Sequence, residues 1–355
     1  MTPLTRPKPV VLVGDGIENG LNAASLADVA TMFGAECAFR GRISHAPPGE
    51  NCFSTPGPPV PPEGVTAYNP LVALENSPES ESLFGARFPQ GSCLGLVVGN
   101  ESRGVSKHVL AAACRIVHIP TASRTINTLN VAAAAAVGLY AVTTGGFRAA
   151  NIRSDLDRRR PELLLMGGSD AFDIGSTIRS AAAFGWTRVY LHDRGNVWFD
   201  GSRDAKAVSR AAARRSRNSI RVVPSPASTS AGFTRVCVFT RGAGDIPLHR
   251  ASLAGSSDTL LVMADEQTVD FSTQDWARFG SNVQYIGLSV PHQVQSPCLR
   301  LTSSIALAEA CRQVGVCAAK RLQPVRRRRP VYDNALRLGD LPAGELVTHE
   351  ELLGF

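Results

Sequence analysis

Val97-Val98-Gly99-Asn100-Glu101-Ser102-Arg103-Gly104 is the stretch of this chain best suited to hold a ligand, because an apolar run opens there into a turn with glycine at both ends. Glycine removes the Cβ obstruction and permits positive φ, so backbone in such a turn can approach a bound group closely. A bare glycine turn is weak evidence, and its value rises with the residues downstream of it. Ile119-Pro120 comes next, and then Thr128-Leu129-Asn130-Val131 sets a hydroxyl and a carboxamide just before an alanine-rich segment. A cation completes the set: Arg179 stands in the pattern Asp173-x-Gly175-x-x-x-Arg179-x-Ala181-x-x-Phe184-Gly185. Its pKa, above about 12, makes arginine a poor general base and a good partner for a phosphate or a developing negative charge.

The arginine pattern also occurs 151 positions earlier, as Asn22-x-Ala24-x-x-x-Asp28-x-Ala30-x-x-Phe33-Gly34, and a short apolar run follows each copy. The chain is therefore an internal duplication. Its first copy puts Asp28 where the second has Arg179. Further on the asymmetry reverses: Val262-Met263-Ala264-Asp265-Glu266-Gln267-Thr268-Val269 stands opposite the glycine turn and has lost both glycines. Aligning Pro120 with Pro291 places Leu299, Arg300 and Leu301 opposite Thr128, Leu129 and Asn130. Each half holds what the other lacks.

These residues need elements to position them. Val10 to Val13 reads as a buried strand and residues 22 to 34 as a helix ending at Gly34. Leu94 to Val98 and Arg115 to Pro120 read as further strands, and Val131 to Tyr140 as a helix. Residues 46 to 64, rich in Pro and Gly, read as a loop. The second half repeats the order: Leu163 to Met166, a helix over 175–184, Val189 to Leu191, Leu260 to Met263, Val283 to Ile286 and a helix near Ser303 to Arg312. Strands alternating with helices imply an α/β fold with mainly parallel sheets. The expected division is a domain over 1–150, a second over 151–322, and a basic, then proline-punctuated tail over 323–355.

The chain of 355 residues carries a net charge of +7 and a pI near 9.2, with arginine clusters at 158–160, 214–217 and 326–329. Such clusters suit a polyanion such as RNA, and a solvated arginine-rich surface accounts for them equally well. The eight cysteines show no zinc-knuckle spacing and read as reduced thiols, and the seven histidines form no ligand set. No apolar run reaches membrane-spanning length, and the polar, proline-rich N-terminus is unlike a signal peptide. A soluble, cytoplasmic protein without a metal is expected.

The glycine turn, the Ile119-Pro120 and Thr128-Leu129-Asn130 set, and the Asn-x-Gly-x-x-x-Arg pattern, whose Asn22 stands in the first copy and whose Gly175 and Arg179 stand in the second, together resemble the three motifs of the SpoU/TrmH family of the SPOUT superfamily, RNA ribose 2'-O-methyltransferases. The resemblance covers roughly residues 10 to 145 and again 162 to 320. It implies two tandem SPOUT-type domains, a trefoil knot at the sheet edge, and S-adenosyl-L-methionine as cofactor. By similarity the cofactor pocket draws on Leu71, Val72, Ala73, Leu96, Val98, Gly99, Asn100, Ile119, Pro120, Thr128 and Leu129. Asn130 and Thr128 orient the substrate ribose, and Glu101 braces the turn. The family's arginine reaches the methyl-transfer site from a partner subunit, so Arg179 in the degenerate half meets the intact motifs of the other half across an intramolecular pseudo-dimer. A monomer with one composite site is the consequence. Lys206, Arg210, Arg214 and Arg215 are expected on the substrate side, with RNA, ribosomal or transfer, as the partner. Asp28 is expected as a surface carboxylate, and Asn22 as the cap of its helix. Two other functions fit the same residues: O-methylation of a small, nucleoside-like molecule, suggested by the absence of a separate RNA-binding domain before Val10, and non-catalytic RNA binding.

Overall fold

The computed structural model of the chain describes residues 10–41, 43, 68–88, 94–122, 129–143, 147, 159–168, 170–214, 220–225, 232–240, 244–254, 258–265, 269, 276–288 and 298–315. In the first half the elements are β1 (Val10–Asp15), α1 (Gly20–Met32), β2 (Glu36–Arg40), β3 (Leu71–Leu74), β4 (Glu81–Ser82), β5 (Leu94–Gly99), α2 (Lys107–Ala112), β6 (Arg115–His118) and α3 (Val131–Thr143). The second half contains β7 (Glu162–Met166), α4 (Ala171–Ala183), β8 (Arg188–His192), α5 (Arg203–Arg214), β9 (Arg221–Pro224), β10 (Arg235–Thr240), β11 (Ile246–Pro247), β12 (Thr259–Ala264), β13 (Val283–Gly287) and α6 (Leu299–Val314).

Every pairing between these strands is parallel. The first sheet runs β2-β1-β5-β3-β6-β4 and the second β11-β13-β10-β12-β7-β8-β9. Read from β8, the second sheet repeats the order of the first, with β9 added outside β8. The duplication seen in two helices therefore extends to the whole topology. Strands such as β1, β5 and β12 are continuous apolar runs, as sheets covered on both faces require.

Capping explains where the duplicated helices begin and end. The Asn19 side chain accepts from the backbone N–H groups of Leu21 and Asn22 at the start of α1, and Asp170 accepts from Asp173 N at the start of α4. Each helix closes on Phe-Gly, with Gly34 and Gly185 at positive φ (64° and 91°), where a side chain is strained. α3 packs against α1 and α6, and α6 packs against α4. One continuous apolar core runs through both halves, from Leu12 and Leu26 through Val137 to Leu165 and Ile305. This is why α3 and α6 lack a solvent-facing polar stripe.

Cys37, Cys114, Cys237 and Cys298 are free thiols, but Cys311 near the end of α6 is disulfide-bonded, which departs from the expected reduced set. Among the described residues no helix is long and apolar enough to cross a membrane. The tail over 323–355 lies outside the described residues.

Candidate functional site

The strands carrying the expected pocket residues lie side by side. β5, β3 and β6 are neighbours in parallel register, so their C-terminal ends bring Gly99, Leu74 with Glu75, and Ile119-Pro120 to one sheet edge. Open parallel sheets bind ligands at this edge. The turn after β5 is folded tightly enough that its glycines are required. A Cβ on Gly99 would lie 2.1 Å from Val105 N, and one on Gly104, at φ +70°, would lie 2.2 Å from Glu75 Oε2. Glu75 also accepts from Val105 N at 2.6 Å. Bracing of the turn, expected of Glu101, is thus performed by Glu75, a role that no spacing in the sequence gave to it.

Glu101 is exposed and faces the next element instead. Asn130 precedes α3 and caps it, its Oδ1 accepting from Ala132 N at 2.9 Å. Its Nδ2 donates to Glu101 Oε1 and to Asn22 Oδ1, both at 3.3 Å. Three motifs separated by up to 108 residues therefore meet in one polar cluster. Asn22 is a member of that cluster in its own half, and the cap of α1 is Asn19, so the expected capping role for Asn22 is corrected. Thr128 lies outside the described residues; Leu129 is buried beside Asn130.

Arg179 sits on α4, 8% exposed and engaged in the structure. Two contacts describe its surroundings. Ala122, two residues beyond Pro120, donates its N–H to Ala183 O at 2.8 Å, so the segment leaving β6 in the first half rests on α4 one turn beyond Arg179. Gly175, one turn before Arg179 on the same face, approaches α5 so closely that a Cβ would lie 2.1 Å from Ser209 O. α5 bears Lys206, half-buried, and Arg210, exposed, spaced for one helix face. The Arg214 side chain and Arg215 lie outside the described residues.

The counterpart in the second half is built differently. Cys298 caps α6 with no side-chain hydrogen bond, so by cap position it stands opposite Asn130, three residues earlier than the alignment through Pro291 indicates. Arg300 is buried and bonds Asp173 of α4 through Nη1, while its Nη2 donates to Ser25 Oγ of α1 at 2.8 Å. Burial works against the Arg300 cation, but Asp173 and Cys298 together outweigh it and hold its pKa above the ordinary value. Burial lifts the Asp173 carboxyl, against the pull of Arg300. Asp28 is 6% exposed, which corrects the expected surface carboxylate. Burial and then Asp28 push the Cys37 thiol up to about 12. Cys298 also rises to about 12, through burial first, then Asp173, with Asp28 contributing. Asp28 is thus within electrostatic reach of the α6 cap in the opposite half.

Comparison with known proteins finds a family model that matches part of the same neighbourhood. Residues 66–140 match the model described as the SpoU rRNA Methylase family. Curated proteins give no match. Among solved structures, the chain is similar to the SpoU methyltransferase AviRb from Streptomyces viridochromogenes, with 19% identity, 46% of this chain and 63% of that chain covered, and a TM-score of 0.34. It is similar also to the A. aeolicus TrmH/SpoU tRNA modifying enzyme, with 16% identity, 44% and 77% covered, and a TM-score of 0.32. The match spans less than two thirds of the first of these chains.

Proposed function

We propose that the protein, whose residues 66–140 match the SpoU rRNA methylase family model, uses S-adenosylmethionine to methylate a ribose 2'-hydroxyl of structured RNA, at one composite site between the halves. The observation that carries this reading is the meeting of Asn22, Glu101 and Asn130 beside a glycine turn, in the half whose Pro120–Ala122 segment rests on the helix bearing Arg179. The duplicated topology supports the cross-half reading: Asp28 lies within electrostatic reach of Cys298, the opposite half's cap residue, and by the same symmetry its equivalent Arg179 is assigned to the opposite cap residue, Asn130.

In this reading the cofactor lies at the edge where β3, β5 and β6 end, beside the turn whose glycines let it close on Val105 and Glu75, and the reading includes the trefoil knot there. When bound, S-adenosylmethionine supplies a methyl group on a positively charged sulfur. This chain's residues do the rest. Asn130, fixed by its cap bond and by Glu101, orients the ribose so that the 2'-oxygen lines up with the methyl carbon, and such alignment supplies much of the barrier reduction. Arg179 holds a phosphate of the target nucleotide and stabilises charge growing on the oxygen. The hydroxyl proton passes to that phosphate, because a guanidinium cannot accept it.

The test is incubation of the protein with methyl-labelled S-adenosylmethionine and total RNA, followed by mapping of the labelled nucleotide. Label on a ribose 2'-oxygen supports the reading, and label on small molecules alone overturns it. One cofactor per chain is expected in a calorimetric titration, and two equivalent sites would refute a single composite centre.

A further inference from the structure

On the other side of the glycine turn, away from β3 and β6, lies a cavity of about 620 Å³ where β1 and β2 end. Its walls include Asp15, Arg40, Arg103, Ser106 and Lys107, three cations against one carboxylate. That carboxylate is already committed. Asp15 Oδ1 accepts from Arg40 Nη1 at 2.6 Å and its Oδ2 accepts from Ser106 N at 2.7 Å, while Ser106 Oγ accepts from the same Arg40 nitrogen at 2.9 Å. Arg40 is therefore locked in place as a cationic floor, and the Asp15 charge is spent inside the wall. Arg103 extends over Gly16, bonded to Glu18 at the rim. Lys107 is exposed at the first position of α2. Gly16 and Gly41, both at positive φ, add no side chain to that floor. A Cβ on Gly16 would already lie 3.7 Å from the Arg103 guanidinium.

We infer that this cavity binds a phosphate group of the RNA strand beside the target nucleotide, an inference that rests on the function proposed above. Position links it to the candidate site. Asn100 lines the cavity and donates from Nδ2 to Gly16 O at 2.8 Å, and the next residue, Glu101, accepts from Asn130. Cavity and polar cluster thus share one turn. A fixed guanidinium, the exposed Lys107, and Arg103, whose exposed partner Glu18 a phosphate can replace, match a phosphodiester, which needs charge and donors. Among the described residues of the second half this pair is not repeated: at the strand ends where Asp15 pairs with Arg40 in the first sheet, Met166 pairs with His192.

The experiment compares the full-length wild type with Arg103→Ala/Lys107→Ala, with Lys107→Ala and with Lys107→Arg, leaving the structural Arg40 intact. Filter binding of total RNA is measured against salt concentration, together with methyl transfer and calorimetry with S-adenosylmethionine. The double variant should raise the RNA KM several-fold at little change in kcat, flatten the slope of log K against log salt by about 0.7 per cation removed, and keep cofactor affinity; Lys107→Arg should restore binding in the single-site comparison with Lys107→Ala. Unchanged RNA affinity and slope in the double variant overturn the inference while leaving the methylation reading in force. Tight binding of inorganic phosphate alone at this site, with RNA unaffected by the variants, assigns the cavity to free phosphate and also overturns it. A wild type that binds no RNA at all overturns both.

Discussion

The two halves share a strand order and paired helices, yet they treat the same location in opposite ways. In the first, Asn22, Glu101 and Asn130 form a polar cluster with an exposed carboxylate at its edge. In the second, the equivalent space holds a buried Arg300–Asp173 pair tied to Ser25 of the other half, with a cysteine at the helix cap. Neutral donors and acceptors can exchange protein partners for a substrate at small cost. A buried ion pair cannot, because removing either partner strands an uncompensated charge. The difference teaches that duplication here separates chemistry from cohesion: one site keeps exchangeable groups, and its twin becomes an interior fastening between α1, α4 and α6.

Breaking the fastening should have the largest effect. Arg300→Ala leaves Asp173 buried without its cation and is expected to cost about 3–5 kcal/mol in urea unfolding, whereas Asp173→Leu/Arg300→Met should recover much of that loss. A single variant as stable as the wild type would show that the pair holds nothing together.

Next in size is the cross-half arginine. Arg179→Ala should lower methyl transfer about 10²–10³-fold, the loss typical of removing one charge-stabilising donor, with cofactor affinity unchanged by calorimetry. Full activity in a folded variant would remove the second half from the site. Because Arg179 and Asn130 are proposed to serve one transition state, their double variant should lose less than the summed single losses.

A smaller contrast comes from the two caps. Asn130→Ala should cost about 1 kcal/mol of stability as a lost helix cap and reduce methyl transfer as well, while Cys298→Ala, which removes no capping bond, should leave transfer unchanged. Equal losses of transfer in both would mean the halves are functionally equivalent.

The smallest effect concerns thiols. With Cys37 and Cys298 held at about 12, iodoacetamide at pH 8 should label exposed Cys114 and spare both, as intact-protein mass spectrometry would read. Rapid labelling of Cys298 would contradict the buried, carboxylate-facing environment of the second cap.

What the sequence determined by itself was local or repeated. The Phe-Gly ends of α1 and α4, the apolar runs of β1 and β12 and the glycine turn after β5 are written in neighbouring residues, and their recurrence 151 positions apart revealed the duplication. The three motifs also pointed to the sheet edge where β3, β5 and β6 end. Tertiary structure alone decided the partners. Asn22 meets Asn130 across 108 positions, Arg300 meets Asp173 across 127, and Arg40 meets Asp15 only because β1 and β2 are parallel neighbours in one register. The same topology buried Asp28, moved the second cap to Cys298 and gave the brace of the turn to Glu75. Helix and turn signals act over a few residues, whereas these pairings depend on how distant strands and helices are stacked, and no spacing in the chain encodes that directly.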